Sequence, residues 1–347
     1  MKKYFYCSLL TLITILTTSC DSVSVLTIDV RHPARVRFPE NIVNIAIVDN
    51  AGANLNDSIA SAQGINEETI LNSRTKRMLT ESLTQFLYEE NFFNDVKLFS
   101  SPVRTDTLYG TMRPLSAAQV QRISSEAEVD GIISLDLVKL RIAETNIDVN
   151  GQVILGGKAK LSLLFRIYDA EGRPLAPAMM SEDSVLWITD RDKLYETRHY
   201  NDFVLSMSEG MVRQIVPYWE QQERAMYTDA TKMMKEGSKY AMAGNWKEAA
   251  IAWGTAFENE NSDQKHKAKM ATNIALANEN LDDIENAVTW INIAKDLIKN
   301  YRNSDESAYI YWYAKKLSER EKGMNKLKEQ LGTAQPTEDA KNNGEQE

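Results

Sequence analysis

The chain has 347 residues with 40 basic and 49 acidic side chains, which gives a formal net charge of −9. Nucleic acid is excluded as an expected partner because binding it needs a basic face. The three histidines, His32, His199 and His266, are far apart in the sequence, so we expect no histidine-built metal site and no cofactor. The length suits two domains.

The first twenty residues have the pattern of a bacterial secretion signal that ends at a cysteine. Lys2 and Lys3 give a positive start, a mostly apolar run follows, and small residues lead into Cys20. The run is shorter than the roughly 20 residues that span a bilayer. We therefore expect residues 1–19 to be a signal peptide and Cys20 to be the lipid attachment site, carrying fatty acyl groups such as palmitate. The alternative is an ordinary signal peptide with a chance cysteine.

After a predicted lipidated linker at residues 20–39, residues 40–216 alternate between strand-like and helix-like patterns, which predicts an α/β domain with a mixed sheet. Strands are predicted at residues 42–48, 96–99, 132–142, 158–168 and 184–189. Helices are predicted at residues 67–90, from Ser116 onward, and at 202–215. In the strand 158–168, an apolar set alternates with a polar set, so one face should be buried and the other wet. The apolar set is Ala159, Leu161, Leu163, Phe165 and Ile167, and the polar set is Lys158, Lys160, Ser162 and Arg166.

A junction is expected at residues 217–229, and residues 230–331 have the spacing of tetratricopeptide (TPR) repeats, which predicts an all-α domain. Taking Ala230 as position one, Gly237, Gly244 and Trp253 fall at positions eight, fifteen and twenty-four, where the two helices of a repeat cross or turn. A second, weaker unit follows, and a helix over residues 305–331 resembles the cap of such an array. Residues 332–347 are polar and are expected to be disordered.

The inner groove of the TPR-like helices is the predicted partner-binding site. Its expected lining is Met234, Ser238, Ala241, Met242, Thr272, Leu276 and Glu279. Methionines beside small residues suit an apolar or helical peptide. Families that grip a terminal carboxylate have Lys and Asn where this chain has Met234 and Ser238, so no carboxylate clamp is expected. The alternative is that the protein's own cap helix or first domain fills the groove.

No sequence pattern indicates catalysis. The segment Gly156-Gly157-Lys158 lacks the spacing of a phosphate-binding loop. Asp190-Arg191-Asp192, and His199 with Asp202, are interpreted as solvated loop charge. We therefore expect neither catalytic residues nor metal ligands, and we do not expect an enzyme.

Three motifs carry a resemblance to known envelope proteins. They are Ile45 to Val48, Glu128 to Ile133 and Phe165 to Gly172, and together they resemble the amino-terminal domain of TolB and the periplasmic domain of the curli-secretion lipoprotein CsgG. The overall layout also resembles a family of Bacteroides-type envelope lipoproteins without an assigned function. CsgG-like pores need two long hairpins of alternating strands, and the sequence indicates one modest hairpin.

The resemblance implies a periplasmic, lipid-anchored domain, at the outer membrane, that assembles with other proteins. The expected function is a protein–protein interaction scaffold in an envelope complex. Its partners would be a protein or peptide and the membrane itself, through the anchor. A second copy of the chain, in a homo-oligomer, is a further candidate partner. Two alternatives stay open: a subunit of a CsgG-like secretion assembly, and an envelope hydrolase.

Overall fold

The computed structural model describes residues 23–52, 67–104, 111–190, 193–194, 196–228, 232–259, 261–301 and 304–331. The predicted signal peptide, Cys20 and the predicted disordered tail lie outside the described residues. The chain divides into two compact units. Of the described residues, the helical unit comprises 23–32 with 219–326, and the sheet unit comprises 33–218 with 327–331.

The sheet unit is built on a five-stranded mixed sheet with the order β3-β2-β4-β5-β6. Strands β2 (Asn44–Asp49), β3 (Asp95–Phe99) and β4 (Gly131–Val149) run parallel to one another. Strands β5 (Gln152–Asp169) and β6 (Met179–Ile188) continue the sheet in antiparallel pairs. This architecture confirms the predicted α/β class for this part of the chain.

Helices cover both faces of the sheet. Helices α1 (Glu67–Glu89) and α3 (Asn201–Ile215) pack on one face, and α2 (Ala117–Ala127) packs on the other. The apolar set predicted on β5 is fully buried under α1 and α3, so the expected alternation is confirmed. Ser116 begins α2 as a capping box, because its hydroxyl accepts the Gln119 amide proton at 3.3 Å and the Gln119 side chain accepts the Ser116 amide proton at 3.0 Å.

Strands β4 and β5 form one long hairpin of 19 and 18 residues, which extends well past the predicted strands at 132–142 and 158–168. The antiparallel pair predicted from the sequence is a different one, between residues 158–168 and 184–189, and β5 and β6 form it. The two-residue turn between β4 and β5 is Asn150-Gly151, with φ angles of 54° and 83°, the conformation that an Asn-Gly turn adopts between antiparallel strands. Gly156 and Gly157 of β5 have no room for a side chain. A Cβ on Gly156 would lie 2.2 Å from Ile147, and a Cβ on Gly157 would lie 2.3 Å from Trp187.

The helical unit contains a two-stranded sheet formed by β1 (Val23–His32) and β7 (Tyr218–Tyr227). The sequence placed these residues in a linker and in the junction, and the structure differs there. Strand β1 does alternate, because Leu26, Ile28 and Val30 are buried or half-buried while Thr27 and Asp29 between them are exposed. Strand β7 is entirely polar from Glu220 to Arg224 and has no apolar alternation there.

Five helices complete the helical unit and confirm the predicted all-α region. They are α4 (Lys232–Met242), α5 (Trp246–Asn259), α6 (Gln264–Asn280), α7 (Ile284–Ile298) and α8 (Asp305–Leu331). Gly237 meets the fully buried Trp253 where α4 crosses α5, and the Trp253 indole donates to the Met234 carbonyl at 3.1 Å. Gly244 has a φ of 77° in the turn between these helices. Within the described part of the chain, no helix combines the length and apolar character needed to cross a bilayer.

Candidate functional site

The seven side chains predicted to bind a partner lie on α4 and α6 of the helical unit. All of them except Met242 are buried. Met234 and Ala241 of α4 share a buried apolar cluster with Leu276 of α6, so these residues lie inside the unit rather than along an open surface.

The chain's own β7 and α8 occupy the place of the expected peptide. The Asn273 side chain on α6 accepts the Tyr227 amide proton at 2.9 Å and donates to the Tyr227 carbonyl at 2.7 Å, as a strand partner would. The Tyr309 hydroxyl on α8 bonds the amide and the carbonyl of Ala225 at 2.8 and 3.2 Å. These contacts favour the alternative in which the chain's own segments fill the groove.

Glu279, one of the seven, is the centre of a buried ionic network. The Arg224 guanidinium and the Tyr313 hydroxyl donate to its carboxylate at 2.7 to 3.0 Å, and Arg320 adds a bond of 3.1 Å. Burial and the neighbouring Glu279 charge raise the pKa of Tyr313 well above its ordinary value, so its hydroxyl keeps its proton. A carboxylate with these partners fixes the position of β7 and α8 on α6.

Among the residues that the structure describes, the His199 side chain forms no hydrogen bond to a carboxylate. The His199 ring stacks on Trp187 with centroids 5.5 Å apart, and its Nε2 lies 3.8 Å from Glu196, too far for a hydrogen bond. Arg191 and Asp192 lie outside the described residues. Within the parts of the chain that the structure describes, no three His, Cys, Asp or Glu side chains are grouped as metal ligands would be.

A buried polar cluster in the sheet unit was not indicated by the sequence. Asp136 of β4 is fully buried at a register shift between Leu135 and Leu137. Its carboxylate accepts hydrogen bonds from Asn50 at 2.8 Å, from the Ser134 hydroxyl and from the Arg166 guanidinium. Burial raises the pKa of Asp136, and the hydrogen bonds from Ser134, Asn50 and Arg166 act in the opposite direction.

A second buried charge is that of Lys76 on α1, which pairs with Asp49 at the end of β2. The Lys76 ammonium, which is fully buried, lies 2.7 Å from the Asp49 carboxylate and also donates to the Gly52 carbonyl. Burial lowers the pKa of Lys76, while Asp49 favours its charged form. The pair holds the chain as it leaves the sheet.

Beside the Asp136 cluster, the sheet unit has an open pocket of about 580 Å³. Its polar groups are Arg166 and Tyr168, which are two residues apart on β5 and therefore share a face of the sheet. Its walls are apolar: Pro114 and Leu115 before α2, and the loop from Pro174 to Ala178. The only signal in the sequence was the placement of Arg166 on the wet face of its strand.

The far end of the β4–β5–β6 ribbon exposes a cluster of aliphatic side chains. The pairings Ile147↔Ile154, Lys158↔Leu186 and Gly156↔Ile188 place them on one face, because alternate residues of a strand share a face. We call this cluster the ribbon surface; its members are Ile147, Val149, Ile154, Leu186 and Ile188. Leu186 is 55% and Ile188 61% exposed. Arg141, Lys158 and Lys160 lie on the same face, nearer the middle of the strands, and are exposed.

Part of this chain is similar to three solved structures of lipoproteins. A minor lipoprotein from Acinetobacter baumannii is 10% identical over 51% of this chain and 92% of its own, with a TM-score of 0.28. An uncharacterized lipoprotein B from Nitrosomonas europaea is 11% identical over 50% of this chain and 81% of its own, with a TM-score of 0.26. A rare lipoprotein B from Shewanella oneidensis is 14% identical over 49% and 87%, with a TM-score of 0.24.

No curated protein matches the sequence significantly. Two family models do match, and both describe domains of unknown function. The model DUF6340 matches residues 235–319, within the helical unit. The model DUF8603 matches residues 42–227, more than half of the chain, and the protein therefore belongs to the DUF8603 family of domains of unknown function.

Proposed function

We propose that the protein is a lipid-anchored protein of the bacterial cell envelope that holds other proteins together by surface contact and catalyses no reaction. The anchor is supported by the sequence from Met1 to Cys20, with its positive start, apolar run and small residues before the cysteine. The outer membrane is the proposed location, on the strength of the CsgG resemblance.

The observation that carries the contact function is the ribbon surface. Strands β4 and β6 present the exposed side chains of Val149, Leu186 and Ile188 to solvent, and Ile147 and Ile154 of the same surface are half-buried. Exposed aliphatic clusters rimmed by polar residues mark interaction sites in soluble domains. The basic residues Arg141 and Lys158 on the same face suit a partner with acidic residues around an apolar centre.

The filled groove of the helical unit supports placing the contact on the ribbon. Leu276 and Thr272 are fully buried and Met234 nearly so, and a partner could reach them only by displacing β7 and α8. The sheet unit is therefore proposed as the part that meets the partner.

A photo-crosslinking experiment in cells tests this proposal. A photoreactive amino acid placed at Ile188 should cross-link to a defined protein, while the same group at Ile251, which is 69% exposed on α5, should not. Adding Leu186→Glu to the Ile188 probe should abolish the cross-link. An equal yield at both positions, or adducts with lipid alone at Ile188, would contradict the proposal.

A subunit of a CsgG-like secretion assembly is the second candidate. The hairpin of 19 and 18 residues favours it, because CsgG-like pores are built from long hairpins. Electron microscopy of the detergent-solubilised native protein distinguishes the two candidates. Ring-shaped particles built from many copies would favour the secretion assembly, and a complex with a different protein would favour the scaffold.

A further inference from the structure

The pocket beside the Asp136 cluster contains two hydrogen-bonding groups whose capacity the described residues leave unused. One is a guanidinium edge and the other is a phenol hydroxyl, and both belong to β5. Neither is needed to hold the sheet together, since β5 is already paired along its length with β4 and β6.

Arg166 is held in place by a carboxylate that is itself fixed. Its Nη1 donates to Asp136 Oδ2, and the other oxygen of Asp136 accepts from Asn50 and Ser134. Within the described ranges, the Nε and Nη2 protons of Arg166 have no acceptor, and the side chain is 23% exposed where it lines the pocket. This edge of the guanidinium has the fork geometry that matches a carboxylate through two parallel hydrogen bonds.

Tyr168 supplies the second group. Its hydroxyl is buried, and no group in the described part of the chain accepts its proton. Burial, and next the charge of Asp136, raise the pKa of Tyr168, so the hydroxyl carries its proton and is a donor. The Leu115 amide faces the oxygen and offsets a small part of this rise in the pKa of Tyr168, but an amide is a donor and leaves the hydroxyl proton unused. A buried donor without an acceptor is costly, and such a group in a native structure calls for a ligand, water or ion.

The charge of the pocket decides which acceptor fits. Because Asp136 already balances the charge of Arg166, the pair is nearly neutral and suits an anion of a single charge better than a dianion. The walls, formed by Pro114, Leu115 and the loop from Pro174 to Ala178, offer no charged side chain and suit an apolar body. The volume of about 580 Å³ lies in the range of small-molecule pockets.

We propose that this pocket binds a monocarboxylate with a small apolar body, and that the Arg166 guanidinium and the Tyr168 hydroxyl donate to its carboxylate. Asp136 is a positioning residue, which keeps the free edge of Arg166 turned toward the ligand. The carboxylate has two possible sources, a free short-chain acid or the carboxy-terminus of a peptide, and the same site chemistry serves both.

Calorimetric titration of the full-length protein tests the proposal. Hexanoate and the peptide acid acetyl-alanyl-leucine represent the two sources, and hexanamide and the peptide amide are their uncharged controls. At least one acid should bind saturably and about tenfold or more tighter than its amide, the difference expected for hydrogen bonds to a charged group. Whichever acid binds identifies the source.

Two variants separate binding from folding. Tyr168→Phe should weaken acid binding about tenfold without lowering the melting temperature, because no described group accepts the proton of this hydroxyl in the folded protein. Arg166→Lys keeps a positive charge for Asp136 but loses the fork, and it should weaken binding at least as much. Arg122→Gln, an exposed arginine on α2, is the matched control and should change neither.

The proposal is overturned if neither acid shows saturable binding at concentrations up to tens of millimolar, because a specific site should bind its ligand more tightly than that. It is also overturned if acid and amide bind equally, or if Tyr168→Phe lowers the melting temperature and leaves acid binding intact. The last result would assign the hydroxyl to the fold.

Discussion

The Arg224 guanidinium on β7 donates from Nε and Nη2 to the two carboxylate oxygens of Glu279 on α6, at 2.9 and 3.0 Å. Both side chains are almost completely buried. Taking one partner away would leave the other as an unpaired charge in the interior, which costs far more than the pair itself contributes.

Replacing Glu279 with Ala is therefore expected to lower the free energy of unfolding by about 3–5 kcal/mol. Urea denaturation of the full chain, followed by the loss of helical circular dichroism, measures the change. Glu321→Gln on α8 is the control, because Glu321 is exposed, and it should stay within about 0.5 kcal/mol of the parent protein. Similar losses for the two variants would show that the ionic network does not fix β7 and α8.

The crossing of α4 and α5 gives a second prediction. A Cβ on Gly237 would lie 2.4 Å from Trp253 Nε1, whereas a Cβ on Gly254 would meet nothing within 4 Å. Gly237→Ala should therefore destabilise the protein by about 1–3 kcal/mol through overpacking. Gly254→Ala should stabilise it by up to about 1 kcal/mol, because alanine loses less backbone freedom in a helix. Thermal unfolding of both variants checks the signs, and equal signs would refute the close crossing.

The ribbon turn gives a third prediction. Gly151 has a φ of 83° with open space around its Cα, so alanine there is opposed by backbone strain alone. Gly151→Ala should cost about 1–2 kcal/mol, the penalty for a left-handed residue with a side chain. Gly210→Ala, within α3 and equally unobstructed, is the control and should not destabilise the protein. If both variants kept the parent's unfolding free energy, the two-residue turn would be wrong.

Stability at alkaline pH gives a fourth prediction. Burial raises the pKa of Tyr309 from 10.0 to about 12, so the folded chain retains this proton at a pH where the unfolded chain has lost it. The contribution of Tyr309 is thus fully present below pH 10 and is lost as the pH rises toward 12, at about 1.4 kcal/mol per pH unit.

Unfolding free energies measured between pH 8 and pH 11 check this sign. Tyr309→Phe should reduce the slope above pH 10, at the cost of a lower stability at neutral pH because both hydrogen bonds to Ala225 are lost. If Tyr309→Phe left the slope unchanged, the pKa of Tyr309 would be the same in the folded and the unfolded chain.

Local rules predicted the elements whose pattern is written in short stretches of sequence. The alternation of Leu161, Leu163 and Phe165 with polar residues identified both β5 and its buried face. The spacing of Gly237 and Trp253 located a helix crossing, since small and large residues must meet where helices approach closely. These features depend on neighbours in sequence or on a repeated spacing, and no long-range information was needed.

Some of the missed features depend on distant partners, and others were readable locally. Strand β7 is entirely polar from Glu220 to Arg224 and pairs with β1, nearly two hundred residues earlier, so its own sequence does not identify it as a strand. Strand β1 carries a local signal that was overlooked, the alternation of Leu26, Ile28 and Val30 with polar residues. The Asn150-Gly151 turn was also a readable hairpin signal. The pocket could not be predicted without the tertiary structure. Asp136 of β4 contacts both Arg166 of β5 and Asn50, which follows β2, and these residues are far apart in the sequence.

The predicted groove shows what a repeat spacing leaves out. Its residues lie on α4 and α6, and all but Met242 are buried. What the spacing does not contain is the identity of the segment that covers them. Here it is the chain itself, through Tyr227 and Tyr309.

The mass of the amino-terminal peptide of protein isolated from native membranes tests the central claim most directly. The account predicts a peptide that begins at Cys20 and is heavier than its amino-acid sequence by a diacylglyceryl group and a fatty acyl chain. A peptide that begins at another residue, or an unmodified chain recovered from the soluble fraction, would contradict the proposal of a lipid-anchored envelope protein.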